Sequence, residues 1–420
     1  MMYLIYNFIL TGLAPLWVPW MWLRARKRGE QPNWSERQGN YEKSLPVKEK
    51  GKKRIWVHAV SVGEVIAAKP FLEELRKQSP QAEIVLSVTT SSGHQTAREK
   101  LTGLFDHLIY FPIDLARFQL RGVQRVRPDV IAVMETELWY NFLWAADVFD
   151  VPVFMVNARS SDRAFRRSMK FRWFFAETLA LVKEVLAQSE HDAERFRALG
   201  APRVRVLGNT KFDEAAGVSP TDSAHWKEEL QLDDRPVVVV GSTRSELEVQ
   251  LVVDALAPFA GKIQVIHAPR HLETAPELVA CALKTNFQVG LRSKKERADY
   301  LVLDSYGELG SVYSVADLVI IGGGFDTLGG QNIIQPLALG KPVLHGPNMF
   351  NFREVAAQSV DARASLICAD AEALTAAVKE LLESPEKRAE MGARATELVA
   401  RNVGASRRYA QEVTQELNAS

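Results

Sequence analysis

Short apolar runs alternate with helical stretches along two long parts of the chain, and this pattern constrains the fold more than any other feature. The runs are almost continuous in Val, Ile and Leu, as at Val130–Met134 and Val237–Val240. Such runs are typical of strands buried on both faces of a parallel sheet. The predicted strands are Arg54–Val60, Ala82–Val88, His107–Phe111, Val130–Met134, Val153–Val156, Val185–Ala187 and Val204–Leu207, then Val237–Val240, Ile263–His267, Phe287–Val289, Tyr300–Leu303, Leu318–Ile321 and Val343–Leu344. The chain is therefore expected to form an α/β fold with two Rossmann-like halves.

The length of 420 residues exceeds what one hydrophobic core usually organises, which favours two domains. A polar stretch at Glu214–Asp234 separates the two halves. We expect an N-terminal domain over residues 31–213 and a C-terminal domain over residues 214–420. Helices are predicted from Ala371 onward, and the last one, from about Ala405, is expected to pack back on the N-terminal domain.

The first 23 residues contain no charged side chain, and a basic run at Arg24–Arg28 follows them. A stretch of this length can reach across a bilayer, which needs about 20 apolar residues, although Pro15 and Pro19 weaken a continuous helix. A cleaved signal peptide fits poorly, because no basic segment precedes the apolar residues. We expect a membrane anchor over residues 1–30 that spans the membrane or lies in one leaflet, with the remainder in the cytoplasm. A buried first helix of the soluble domain is the alternative.

The charge and cysteine content exclude several classes of protein. The formal net charge is +1, so the overall charge gives no reason to expect nucleic acid binding. Cys281 and Cys368 lack the spacing of a zinc site, and no Asp-x-Asp motif occurs. The sequence therefore predicts chemistry that needs neither a metal ion nor a cofactor.

Ligands of open parallel sheets bind beyond the carboxyl ends of the strands, and Ser61–Glu64 lie at such a position after the first strand. We expect Gly63 to adopt a backbone conformation that other residues resist, beside the free N–H groups of the following helix. Glu64 is a candidate catalytic acid or base. The alternative is a carboxylate that only complements the helix dipole.

Glu135 is a second candidate, because it directly follows the predicted strand at Val130–Met134. A capping box around Thr136 is the alternative for this acidic pair of Glu135 and Glu137. Arg159 follows the next strand and precedes a basic cluster that would suit a phosphorylated or lipid-bound acceptor, or would simply be a solvated helix face. The cluster consists of Arg163, Arg166, Arg167, Lys170 and Arg172.

Phosphate-binding features are concentrated in the second half. Ser242 lies in a turn of small residues after a strand, where backbone N–H groups can approach a phosphate. Arg270, after the next strand, can act as a forked donor to a phosphate or carboxylate. Five glycines occur in Gly322–Gly330, which indicates a cradle for a phosphate or a sugar, although no Walker sequence follows.

Seven motifs occur in an order that resembles one family, the 3-deoxy-D-manno-octulosonic acid (Kdo) transferases of lipopolysaccharide synthesis. The motifs are SVGE at Ser61–Glu64, METELW at Met134–Trp139, NAR at Asn157–Arg159, GNTKFD at Gly208–Asp213, PRH at Pro269–His271, the glycine-rich loop ending at Asn332, and GPxxxNF at Gly346–Phe352. The resemblance implies a GT-B glycosyltransferase with two Rossmann-like domains facing a cleft. It also implies a CMP-Kdo donor, a lipid A precursor as acceptor, and a position on the cytoplasmic side of the inner membrane.

The resemblance also implies roles for individual residues. Glu64 would be the general base and Glu135 the second essential acid, with Ser61, Gly63 and Arg159 on the acceptor side. The donor site would be formed by Lys211, Ser242, Arg270, Gly323, Asn332 and Gln335. The expected reaction is an inverting transfer of Kdo that needs no metal.

Two positions depart from the family pattern. Gln335 stands where the family has a Glu that is expected to bind the ribose hydroxyls, so an acceptor oxygen is kept and a charge is lost. Tyr140 replaces a proline. Two alternatives therefore stay open: a GT-B transferase with another nucleotide sugar, and a catalytically weak membrane-bound protein that binds sugar or lipid.

Overall fold

The computed structural model describes residues 2–13, 15, 16, 19, 23, 26, 33–216 and 223–419. The chain divides into two compact units. Unit 1 comprises Met1–Glu214 and Gly404–Ser420, and unit 2 comprises Ala215–Val403. Each unit is built on one seven-stranded parallel sheet.

Unit 1 has the strand order β3-β2-β1-β4-β5-β6-β7. Its strands are β1 (Arg54–Ala59), β2 (Glu83–Val88), β3 (His107–Tyr110), β4 (Val130–Met134), β5 (Val153–Ala158), β6 (Glu184–Ala187) and β7 (Val204–Val206). Its helices are α1 (Met2–Gly12), α2 (Trp34–Arg37), α3 (Val62–Gln78), α4 (Ser91–Lys100), α5 (Ala116–Val126), α6 (Tyr140–Val148), α7 (Asp162–Met169), α8 (Arg172–Ala180), α9 (Glu190–Leu199) and α10 (Thr210–Ala216). The central strands β1 and β4 are buried along their whole length, which agrees with their apolar sequences.

Unit 2 has the strand order β10-β11-β9-β8-β12-β13-β14. Its strands are β8 (Val237–Thr243), β9 (Gln264–Pro269), β10 (Val289–Leu291), β11 (Tyr300–Val302), β12 (Leu318–Ile321), β13 (Val343–His345) and β14 (Ser365–Ile367). Its helices are α11 (Ser223–Glu229), α12 (Glu246–Leu256), α13 (Ala275–Ala282), α14 (Leu309–Val312), α15 (Ile334–Ala338), α16 (Arg353–Asp361), α17 (Ala371–Glu383) and α18 (Pro385–Asn402). Strand β14 is missing from the sequence prediction. It is a short edge strand whose Leu366 and Ile367 are exposed, so it lacks the buried apolar run that reveals the other strands.

The last helix, α19 (Ala405–Ala419), belongs to unit 1. Its buried face joins the same hydrophobic core as α3 and strands β1 and β2. Tyr409 on that face donates from its hydroxyl to the backbone oxygen of Gly208 at 2.5 Å. Helix α19 therefore contributes to the hydrophobic core that packs against β1.

One face of α1 packs on unit 1, and the other is exposed. The Tyr6 hydroxyl donates to Oδ2 of Asp114 at 2.7 Å, and Asn7 Nδ2 donates to Oδ1 of Asn141 at 2.8 Å. The Tyr6 ring also stacks on Phe174, with 5.6 Å between ring centroids. The exposed apolar residues of α1 are Leu4, Ile5, Phe8 and Ile9. The described part of the N-terminal segment therefore packs on unit 1, where it bonds to the buried side chains of Asp114 and Asn141.

No helix in the described parts of the chain is both long and apolar enough to cross a bilayer. Most of the predicted basic run lies outside the described residues, since Arg26 is its single described cation. The tryptophans at positions 17, 20 and 22 also lie outside them. The anchor over residues 1–30 therefore stays a prediction.

Candidate active site

The two candidate acids lie on either side of the point where the strand order of unit 1 reverses. The chain proceeds from β1 outward to β2 and β3 on one side, and from β4 outward to β7 on the other. Glu64 follows β1 and Glu135 follows β4, and these two strands are neighbours in the sheet. Crevices at such a reversal point are where open α/β sheets bind their ligands.

Glu64 lies in the first turn of α3 and is half-buried. Its Oε2 accepts a hydrogen bond from the backbone N–H of Val60 at 2.7 Å, and its Oε1 accepts one from the Ser61 hydroxyl at 3.1 Å. These contacts fix the carboxylate at the carboxyl end of β1. They differ from a capping box, because the Ser61 side chain donates to Glu64 and does not accept from the helix N–H groups.

The electrostatic surroundings of Glu64 suit a proton acceptor. Burial raises the pKa of Glu64 to about 7, and the charges of Glu137 and Glu135 add to this rise, while the hydrogen bonds from Val60 and Ser61 oppose it. Burial also raises the pKa of Glu137 to about 6. A general base works best when its pKa lies near the working pH, and Glu64 meets this condition.

Glu135 forms an ion pair with Arg159. The Arg159 Nε donates to Oε2 of Glu135 at 2.7 Å, and the Glu135 side chain is almost fully buried. Glu135 has a positive φ of 56°, and its backbone N–H donates to Val156 at 2.9 Å. This conformation is rare for a residue with a side chain and is common where a strand end serves a site. The ion pair joins the loops after β4 and β5.

Lys211, which the resemblance assigns to the donor site, lies in unit 1. Burial lowers the pKa of Lys211, the nearby charge of Arg159 lowers it further, and Glu135 opposes this. The structure therefore brings Lys211 together with Glu135 and Arg159, two residues that were predicted separately from different motifs. Asn157 supports this group, because its Oδ1 accepts from the backbone N–H of Thr210 at 3.2 Å.

The expectation that Gly63 uses the conformational freedom of glycine is wrong. Gly63 begins an ordinary helical turn and does not have a positive φ. A Cβ atom there would meet nothing closer than the Ser61 hydroxyl at 4.0 Å. Sequence reasoning also missed Gly93, where a Cβ would lie 2.7 Å from Val88 and 2.8 Å from Thr90. Gly93 lets the loop after β2 pack beside the Ser61–Glu64 turn.

At the carboxyl edge of the second sheet, Ser242 lies near the end of β8 and Arg270 directly follows the neighbouring strand β9. Ser242 has a positive φ of 62°, and the backbone N–H of Arg270 donates to Thr243 at 2.8 Å. The Arg270 side chain is exposed and is available to a ligand. His267 lies behind this edge and is fully buried, which lowers its pKa to about 3 and keeps its ring neutral.

The glycine-rich loop begins at the end of β12, next to β8 at the reversal point of the second sheet. A Cβ on Gly322 would lie 2.6 Å from the backbone of Thr243, and one on Gly346 would lie 2.2 Å from the backbone of Gly324. Gly323 has a positive φ of 77°. The glycines are thus required because three backbone segments meet closely there.

Glu248 holds this loop in place and was missed by sequence reasoning. Its side chain is almost fully buried, and it accepts from the backbone N–H groups of Arg244 at 2.9 Å and Phe325 at 3.3 Å. Burial raises the pKa of Glu248, and its backbone hydrogen bonds, including one from Gly323, oppose the rise. The sequence did contain a signal for this role, because Glu248 follows the N-cap residue Ser245 by three positions, which is the spacing of a capping box.

Asn332 and Gln335 lie at the start of α15. Asn332 Oδ1 accepts from the backbone N–H of Ile334 at 2.9 Å, so this side chain has a local structural partner. Gln335 is half-buried in the first turn of α15. The described residues contain no group of three or more His, Cys, Asp or Glu side chains that could hold a metal ion.

Comparison with known proteins gives two kinds of result. Residues 32–214 match the family model described as 3-deoxy-D-manno-octulosonic-acid transferase (kdotransferase). The chain is 33% identical to the 3-deoxy-D-manno-octulosonic acid transferase of Bordetella pertussis, over 96% of this chain and 97% of that protein. It is 30% identical to the enzyme of the same name from Haemophilus influenzae, over 84% of this chain and 85% of that protein.

Among solved structures, the chain is similar in fold to two proteins of low sequence identity. One is a UDP-GlcNAc 2-epimerase from Neisseria meningitidis, with a TM-score of 0.62 and 14% identity over 88% of this chain and all (100%) of that chain. The other is a glycosyltransferase from Rickettsia africae ESF-5, with a TM-score of 0.60 and 11% identity over 88% of this chain and 99% of that chain. These similarities confirm the predicted GT-B fold class.

Proposed function

Because the chain belongs to the 3-deoxy-D-manno-octulosonic acid transferase family and is therefore a glycosyltransferase, we propose that it transfers Kdo from CMP-Kdo to a lipid A precursor. The acceptor in this proposal is lipid IVA, and the product enters lipopolysaccharide core synthesis. The transfer inverts the configuration of the sugar and needs no metal ion. Glu64 is the general base.

The observation that carries this proposal is the fixed position and the raised pKa of the Glu64 carboxylate. Hydrogen bonds to Val60 and Ser61 hold the carboxylate at the reversal point of the sheet, and its pKa is raised to about 7. A sugar hydroxyl is a poor nucleophile until a base removes its proton. A carboxylate with an ordinary pKa would be a weaker base for this step.

In the proposed reaction, Glu64 takes the proton of the acceptor hydroxyl while that oxygen bonds to the anomeric carbon of Kdo. The bond between this carbon and the phosphate oxygen breaks, and CMP leaves with the electron pair. The Arg270 guanidinium stabilises the charge that develops on the phosphate. Neutralisation by fixed protein donors takes the role that a metal ion has in other transferases.

The resemblance assigned Lys211 to the donor site, but it lies in unit 1 near Arg159 and Glu135, so the proposal gives it a role on the acceptor side. The three residues give that side a fixed set of charges. Their arrangement at the ends of β4 and β5 suits a phosphorylated sugar better than a neutral one. We further propose that the chain works on the cytoplasmic face of the inner membrane. The exposed apolar side of α1, with Leu4 and Phe8 at 69% and 81% exposure, supports this position.

A transfer assay with the full chain in detergent tests the proposal. With lipid IVA as acceptor, CMP-Kdo should give a Kdo-containing lipid, and UDP- and ADP-linked sugars should give none. A competition titration of CMP, UDP and ADP should rank CMP first. Product from another nucleotide sugar, with no preference for CMP, would favour a GT-B transferase of different donor specificity. Binding of lipid without turnover of any donor would favour a sugar- or lipid-binding protein.

A further inference from the structure

A cavity in unit 1 lies beside the candidate acids and takes no part in the proposed proton transfer. Its volume is about 280 Å³, and its walls come from the loop Thr136–Trp139 and from α7, α8 and α9. At about 30 Å³ for a group the size of a water molecule, this volume holds several methylene groups. The apolar residues that line it are Leu138, Trp139, Ala164, Phe175, Phe196 and Leu199.

The lining suits an occupant that has both hydrocarbon and polar groups. Phe196 and Leu199 are almost fully buried, and they present hydrocarbon to the cavity. The other four lining residues are polar and can bond to polar groups of the occupant. They are Thr136, Glu137, Ser160 and Ser168.

Glu137 connects this cavity to the proposed base. It is one of the residues that line the cavity, and its charge is among the causes that raise the pKa of Glu64. The cavity wall at Glu137 is therefore within electrostatic reach of Glu64. Glu64 and Glu137 also follow β1 and β4, which are neighbours in the sheet, so the cavity and the proposed base lie at the same sheet edge.

The helix that forms one wall carries a complementary charge pattern. Ala164 and Ser168, one turn apart on α7, line the cavity. On the same helix Arg163, Arg166 and Arg167 are exposed to solvent. A partly apolar cavity with cations beside it matches a molecule that combines a hydrocarbon chain with a phosphate group.

We propose that this cavity binds an acyl chain of the phosphorylated lipid acceptor and so makes acyl chain length a determinant of acceptor specificity. This inference rests on the proposed function, since it concerns the acceptor of that reaction. The acyl chain lies against Ala164, Phe175 and Leu199, and the sugar that it substitutes lies toward Glu64. The cavity then supplies binding energy from a part of the acceptor that does not react.

Ala164→Phe tests the proposal, because the larger side chain fills the cavity from α7. The full chain in detergent is assayed with two acceptors, lipid IVA and the same phosphorylated disaccharide carrying short acyl chains. For lipid IVA, kcat/KM should fall by about tenfold through KM, which corresponds to the transfer of two methylene groups out of the cavity. For the short-chain acceptor, kcat/KM should stay within about twofold. Met169→Phe places the same aromatic side chain at an exposed position of α7 that does not line the cavity, and it should change neither value.

Ser168→Leu fills the cavity from the next turn of α7. This variant tests the acyl-chain assignment if Ala164→Phe fails to fold. Equal losses for both acceptors in the folded variants, or no loss for either, would overturn the acyl-chain assignment. The wild-type chain separates this failure from a failure of the proposed function. Transfer of Kdo by the wild type keeps the proposed function intact whatever the cavity variants do, whereas absence of transfer to both acceptors would refute it directly.

Discussion

The hydroxyl of Tyr6 in the first helix donates to the buried carboxylate of Asp114 at 2.7 Å. Asp114 Oδ1 also accepts from the backbone N–H of Phe142 at 3.1 Å, and Asn141 Nδ2 donates to the Asp114 backbone oxygen at 2.7 Å. Burial raises the pKa of Asp114 to about 6, although the hydrogen bonds that the carboxylate accepts from the Tyr6 hydroxyl and from the backbone N–H groups of Asn141 and Phe142 oppose the rise. The N-terminal helix is therefore connected to α6, the helix that follows the loop containing Glu135 and Glu137.

Removal of this hydrogen bond should destabilise unit 1 in a way that depends on pH. The folded-state pKa of Asp114 is raised, so the folded protein binds the proton more tightly, and ionisation of Asp114 lowers stability as pH rises toward about 6. Above that pH the Asp114 carboxylate is charged, and the hydrogen bonds that it accepts, including the one from Tyr6, stabilise the charge. At pH 8, Tyr6→Phe should lower the free energy of unfolding by about 1.5–3 kcal/mol, the range for hydrogen bonds to charged groups. Denaturant unfolding of the full chain in detergent measures this change.

The loss for Tyr6→Phe should be smaller at pH 5, where Asp114 is protonated in the folded state. Tyr3→Phe is the matched control, because its ring packs on Trp144 at 4.3 Å and the substitution keeps that ring. Equal stability of wild type and Tyr6→Phe at pH 8 would mean that the hydrogen bond from Tyr6 to Asp114 does not stabilise the domain.

The pH dependence of transfer should show the raised pKa of Glu64. A general base must be ionised, so kcat/KM should increase with pH and level off above about pH 7. Glu137→Gln removes one of the charges that raise this pKa, and the midpoint of the acid limb should therefore move to lower pH. A pH profile from pH 5 to 9 for both proteins measures the shift. An unchanged midpoint in Glu137→Gln would show that protonation of a group other than Glu64 lowers kcat/KM at low pH.

Arg270→Ala should weaken CMP binding, because Arg270 is an exposed guanidinium at the carboxyl end of β9. Loss of a charge-assisted hydrogen bond should cost about 1.5–3 kcal/mol, which is about 10- to 100-fold in Kd. Lys262→Ala removes an exposed cation just before the amino end of β9 and should leave CMP affinity unchanged. Calorimetric titration of CMP distinguishes the two variants. Equal affinities for Arg270→Ala and Lys262→Ala would remove Arg270 from the donor site.

Gln335→Glu should strengthen CMP binding if this position contacts the ribose. A carboxylate accepts stronger hydrogen bonds from hydroxyls than an amide oxygen does, and a gain of about fivefold to tenfold in affinity is expected. Deoxy-CMP lacks one of these hydroxyls, so the gain should be smaller with that ligand. A gain of the same size with both nucleotides, or none with either, would place residue 335 away from the ribose.

The sequence was informative where the fold depends on buried periodic patterns. Strands such as β4 and β12 were predicted with their observed bounds, because a central strand of a parallel sheet is apolar at every position. Helix boundaries depend on local caps. Helix α4 begins at Ser91, because Thr90 caps it by accepting from the backbone N–H of Gly93. Such a cap in a run of small polar residues is easily read as a loop.

The candidate site could be predicted in its parts and not in its arrangement. Strand ends and glycines marked Glu64, Glu135, Ser242 and Gly323, because ligand sites of parallel sheets lie there. Contacts between loops of distant sequence position were not visible. Tertiary packing produces the ion pair of Arg159 with Glu135. It also produces the hydrogen bond that Glu248 accepts from the glycine-rich loop. The same holds for Tyr6 and Asp114, which are 108 positions apart.

The central claim is that Glu64 accepts the proton of the acceptor hydroxyl, and turnover of Glu64→Gln tests it most directly. The amide keeps the size of the side chain and can still accept from Val60, so the start of α3 is preserved. Glu73→Gln, at a half-buried position on the same helix, controls for the loss of a negative charge.

The account predicts that Glu64→Gln lowers kcat by about 100-fold or more, the scale of general-base loss, while the affinity for CMP and the melting temperature stay close to those of the wild type. A carboxylate that only complements the helix start would instead give a stability loss of about 0.3–1 kcal/mol with turnover nearly intact. Near-normal turnover in Glu64→Gln would contradict the account and direct attention to Glu135.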